Sequence, residues 1–155
     1  MFSHDAIDDT LHWDDRFLVG EQAIDHTHAE FVALLGKLQR CADDQLPRLL
    51  DALVVHMESH FALEERLMDE TRFPARDCHA DEHARVMASV REVRRDVAEG
   101  QHEVARELVQ ALADWFPGHI DYMDSAVAIW VVKRRTAGAP VVLRRFRRDA
   151  AHAVL

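Results

Sequence analysis

Apolar residues recur every three or four positions along most of the chain, the pattern of helices that bury one face. From about Glu21, the residues Ile24, His28, Phe31, Leu35 and Leu38 share a face, and Asp43-Asp44 mark its end. A second segment, about Gln45 to Glu70, holds Leu46, Leu49, Leu53, Met57, His60, Glu64 and Leu67 in register before Thr71-Arg72-Phe73-Pro74 stops it. A third, about Ala75 to Glu99, aligns His79, His83, Val86, Val90, Val93 and Val97 ahead of Gly100. The fourth starts near His102 and carries Val104, Leu108, Ala111 or Leu112, Trp115 and His119. Pro117-Gly118 should interrupt it, with helix resuming through Trp130. Four such segments with short connections predict an all-α fold, an up-down-up-down four-helix bundle over residues 21–132. Residues 1–20 read as an ordered N-terminal arm anchored by Trp13 and Phe17, and residues 133–155 as a basic C-terminal tail.

Composition narrows the class. A chain of 155 residues with 48% apolar residues buries enough surface for one domain and needs no disulfide staples. Cys41 and Cys78 are too few for a secreted disulfide framework, so a cytoplasmic protein is expected. No apolar run approaches membrane-spanning length, and the acidic first thirty residues do not fit a signal peptide. Net charge is −9, but residues 1–132 hold 12 Lys/Arg against 27 Asp/Glu, whereas residues 133–155 hold 7 against Asp149 alone. The acidic body excludes electrostatic binding of nucleic acid.

Histidine changes the picture most. The chain has 11, and His28, His60, His79, His83 and His119, with Glu64, occupy the centres of otherwise apolar faces. A lone histidine there is usually a satisfied core residue, but each of these costs a few kcal/mol to bury unpartnered. In an up-down bundle, the starts of the first and third helices lie beside the ends of the second and fourth. All six groups then come to one level, roughly 10 Å from one end. His60/Glu64 and His79/His83 are i, i+4 pairs on single helical faces. Imidazoles and carboxylates in that number exceed one tetrahedral zinc and fit two metal ions with five or six positions each. Near His119, Asp121 at i+2 points about 200° away and Asp124 at i+5 about 140° at ~100° per residue. Asp124 is the nearer, provided a break or widened turn rotates it inward.

In order along residues ~11–131, the stretches W-D-D-R-F-L-V-G (13–20), I-D-H-T-H (24–28), H-F-A-L-E-E-R-L-M (60–68), H-A-D-E-H (79–83) and W-F-P-G-H-I-D-Y-M-D (115–124) resemble the hemerythrin family, specifically single-domain bacteriohemerythrins. The resemblance implies a non-haem diiron centre that binds O2 reversibly as a carrier, store or delivery protein, with no catalytic residues. His79, His83 and His119 would hold one iron, and His28 and His60 the other. Glu64 and Asp124, with a solvent-derived oxo or hydroxo group, would bridge them. One iron is then six-coordinate and the other keeps an open position for O2. Trp115 and Ile120 match pocket positions of the family. Phe116 departs from it, since a Leu commonly follows that Trp, and reads equally well as a core aromatic.

The alternative is a diiron oxidase, peroxidase or NO-reactive enzyme, or an O2- or iron-sensing module acting through a partner. Ferritin-like sites use Glu-x-x-His pairs, and Glu99-Gly100-Gln101-His102 falls in a turn. His26 and His56 lie off the inward face, Glu65 and Asp121 are expected in solvent, and Cys78 points away from His79. A monomer is expected. The tail 141–155 is a short basic amphipathic stretch, expected to fold back on the acidic bundle rather than to make a weak protein or membrane contact.

Overall fold

A computed structural model describes residues 10–136. The tail 141–155, together with His4 and His152, lies outside the described residues. The helices start and stop where local chemistry requires. α1 (Gln22–Arg40) is capped by Glu21, whose carboxylate accepts from the Ile24 N–H at 2.9 Å. Asp25, in the first turn, accepts from the N–H groups of Val19 (2.7 Å) and Gly20 (3.1 Å), fastening the incoming arm to the helix. Gly20 has φ +92°, a conformation that its missing Cβ makes cheap. The arm itself is anchored by Phe17, which is buried, with Trp13 edge-on to it at 5.8 Å.

α2 (Leu46–Thr71) follows a 3₁₀ turn at Asp43–Gln45 and carries Pro47 in its first turn, where a missing N–H costs least. It ends at Arg72 in the left-handed region (φ 53°), with the Phe73 N–H returning to the Met68 carbonyl at 2.9 Å. α3 (Arg76–Ala98) stops before Gly100, also at φ +92°. α4 (His102–His119) corrects one expectation: it passes through Pro117-Gly118 without a break. A proline's fixed φ is itself helical, and its loss of one hydrogen bond need not end a helix packed on both sides. The distortion comes later, as a π turn at Ile120–Asp124, after which α5 (Ser125–Thr136) continues the same rod.

α1 packs on α2 and α4, and α3 packs on α2 and α4, giving the expected four-helix bundle. Its interior is layered. A large apolar cluster runs from Phe17, Phe31 and Phe116 down to Leu46, Leu50 and Val97. A smaller one, of Ile24, Leu67, Met68, Val127, Ala128 and Val131, closes the end where α1 begins and α2 and α5 finish. Between the two lies a polar layer. No described helix is long and apolar enough to cross a membrane.

Candidate metal centre

The polar layer contains His28 from α1, His60 and Glu64 from α2, His79 and His83 from α3, and His119 and Asp124 from the α4–α5 rod. None is more than 5% exposed, and Glu64 and Asp124 are fully buried. All seven predicted groups are therefore in one place. Helical spacing alone explains six of them. Asp124 joins because the π turn adds a residue to the ring closed by the Ser125 N–H and the Ile120 carbonyl, which rotates the carboxylate inward. Asp121 stays exposed, its carbonyl accepting from the Ser125 hydroxyl at 2.6 Å.

The two carboxylates divide the imidazoles into two sets. Glu64 Oε1 lies 2.7 Å from His60 Nε2 and 3.5 Å from His28 Nε2, whereas its Oε2 lies 3.1 Å from His83 Nε2 and 3.4 Å from His79 Nε2. Asp124 Oδ2 lies 2.9 Å from His28 Nε2, and its Oδ1 lies 3.0 Å from both His79 Nε2 and His119 Nε2. Two overlapping donor groups result: Glu64, His79, His83, His119 and Asp124, and His28, His60, Glu64 and Asp124. Every imidazole turns its Nε2 inward. Most of these contacts are close but badly aligned for hydrogen bonding. The Nε2 atoms of His28, His79, His83 and His119, with Glu64 Oε2 and both Asp124 oxygens, are buried without a hydrogen-bond partner. Buried polar atoms are rarely left so. Lone pairs aimed at shared points instead of at one another suit cations, and imidazole with carboxylate suits iron, zinc and their neighbours.

The electrostatics carry the same message. Burial opposes charge on His28 and His79, but the Asp124 and Glu64 carboxylates outweigh it and push both pKa values up to about 9. Burial likewise opposes ionisation of Glu64 and Asp124, and the surrounding imidazoles nevertheless hold both carboxyls below their ordinary range. Without metal, protons on His28 and His79 supply positive charge beside the two carboxylates.

The three predicted pocket residues separate. Phe116 is buried and stands edge-on to His28, ring centroids 5.3 Å apart, with Phe31 at 4.7 Å and Phe17 at 5.5 Å behind it. Ile120 is buried in the same cluster. Trp115 instead stacks on His119 at 4.3 Å, on the opposite set, and its indole N–H donates to Glu82 Oε1 at 3.0 Å. Glu82 also binds Arg85.

Two residues correct or extend the sequence reading. Glu65 is not simply in solvent: it is half-buried and its Oε1 lies 3.6 Å from His83 Nδ1. Glu82 drew no attention in the sequence because its partner Trp115 is 33 residues away. Cys78 and His26 are exposed, while His56 is largely buried against Phe31 and loses basicity through that burial.

Residues 19–130 match the family described as the Hemerythrin HHE cation binding domain. Three bacteriohemerythrins are among the similar proteins. That of Ralstonia nicotianae is 37% identical over 124 residues, covering 80% of this chain and 90% of its own. That of Aquifex aeolicus is 31% identical, covering 71% and 88%, and that of Stenotrophomonas maltophilia 31%, covering 76% and 79%.

Proposed function

The chain belongs to the hemerythrin family, and from that premise we propose that its buried cluster holds two iron ions and binds O2 reversibly. His79, His83 and His119 are assigned to one ion and His28 and His60 to the other, with Glu64 and Asp124 spanning both. Bound there, a pair of ferrous ions supplies redox chemistry that can take up O2 and release it. The observation that carries this reading is the division of each carboxylate, one oxygen toward each set of imidazoles.

The chain's own contribution is to hold the donors and to exclude water. The two-histidine set has one imidazole fewer, so an ion held there would be the one with room for a further ligand. Phe116 stands against His28 and Phe31 against His60, with Phe17 behind Phe116, and together they would wall that side with hydrocarbon that excludes water and offers no proton. Ile120 is assigned to the same wall and Trp115 to the support of His119. A carrier, store or delivery protein is the role these features fit.

Protein made in iron-replete cells should contain two irons per chain. The reduced form should gain a visible charge-transfer band in air and lose it under argon, over repeated cycles. A band that forms once and never reverses would favour an oxidase. One zinc and no iron would remove both readings.

A further inference from the structure

Two histidines remain that the buried cluster does not use. His26 lies one turn before Glu30 on α1, and His56 one turn before His60 on α2. Their side chains meet at a single carboxylate. His26 Nε2 is 2.6 Å from Glu30 Oε1, and His56 Nδ1 is 3.6 Å from Glu30 Oε2. A His–Glu pair at i, i+4 is ordinary on a helix surface. A second imidazole reaching the other oxygen of that carboxylate from a neighbouring helix is not part of that pattern.

The three groups differ in freedom. His56 is held: its side chain is 13% exposed and its ring stacks on Phe31 at 6.2 Å and 23°. Its Nε2 is buried without a hydrogen-bond partner, which leaves Nδ1 as the nitrogen that faces Glu30. His26 and Glu30, at 67% and 53% exposure, can move toward it at little packing cost. A fixed donor from one helix and two adjustable ones from the next form a claw across the α1–α2 seam.

We propose that His26, Glu30 and His56 form a divalent-cation site separate from the buried centre, for a borderline ion such as Zn2+. Two imidazoles and one carboxylate are donors that zinc and its neighbours accept, whereas magnesium and calcium demand oxygen. Closing the claw requires the exposed ring and carboxylate to shift until their donors stand about 2.0–2.2 Å from the ion. Among the described residues only the two buried donor groups stand close enough together to hold a metal without movement, and none of these three residues belongs to either. The inference therefore does not depend on which ions occupy that centre.

The test is calorimetric titration of the iron-loaded full chain with Zn2+, iron content being measured alongside. One zinc per chain should bind beyond the resident iron. Glu30→Gln and His26→Asn, both at exposed positions, should each weaken that binding by roughly tenfold or more and leave iron content unchanged. Absence of additional zinc, or zinc binding that neither substitution alters, would overturn the proposal.

Discussion

On the three-histidine side of the polar layer, two of the imidazoles have carboxylates close outside them, one directly and one through an indole. His83 lies flat on Phe61, 3.8 Å away at 7°, with Glu65 beside its Nδ1. His119 lies under Trp115, whose indole is fixed by Glu82. The two-histidine side is built differently. The rings of His28 and His60 are 5.0 Å apart, and their ring neighbours are Phe31, Phe61 and Phe116, with His56 5.8 Å from His60. The side richer in donors has Glu65 and Glu82 behind it, and the poorer side is walled mainly by aromatic rings. A metal pair held here would have carboxylates behind one end and an aromatic wall at the other.

The most damaging change should be one that removes both sides at once. Glu64→Ala takes an oxygen from each donor group and should abolish the loading of two irons, read as metal content. Asp124→Ala should do the same, and Asp121→Ala should leave two irons bound. Iron lost on Asp121→Ala and kept on Asp124→Ala would reverse the choice between them.

Next in size is the aromatic seal. Phe116→Ala should cost about 3–5 kcal/mol in denaturant unfolding and hasten bleaching of the O2-bound colour several-fold. Trp115→Phe, on the three-histidine side, should leave the bleaching rate nearly unchanged. Equal bleaching in the two variants would erase the distinction between the sides.

A third effect concerns the metal-free protein. His28 and His79, raised to about 9, contribute stability that is complete below the ordinary histidine value near 6.5 and lost as pH rises through 9. Glu64 and Asp124, being depressed, contribute stability that is present above the ordinary carboxylate range and lost as pH falls below it. In the presence of chelator, the thermal midpoint should peak at about pH 5–6 and fall toward pH 9. The loaded protein should lack the alkaline fall, because metal has replaced those protons. The smallest effect belongs to the outer braces. Glu65→Gln or Glu82→Gln should weaken metal retention by about tenfold with little change in stability.

Much of this was legible in the sequence because helical period converts directly into direction. His28, His60, Glu64, His79, His83 and His119 sit at positions where an apolar residue was due, and a buried polar group announces itself by that conflict. Asp124 could not be placed so. On a regular helix it lies well off the His119 face, and only a π turn, a local exchange of one hydrogen-bond ring for a wider one, brings it round. Family spacing named it where geometry could not. Pro117 drew attention to the wrong turn, since a proline is a visible helix breaker and a π turn has no such marker. The braces were hidden for another reason. Glu65 and Glu82 sit among many surface acids, and only the packing of α2, α3 and α4 shows which of them meet a ring. His26 and His56 were visible as histidines, but their shared carboxylate depends on how α1 meets α2.

The asymmetry between the two sides is most directly tested by Mössbauer spectroscopy of protein loaded with ⁵⁷Fe and cycled between O2 and argon. Two iron signals of equal area are expected under O2, distinct because the two donor groups differ by one imidazole and only the smaller would leave room for O2, with the original spectrum restored under argon. A single signal under O2, or one iron per chain, would contradict that expectation.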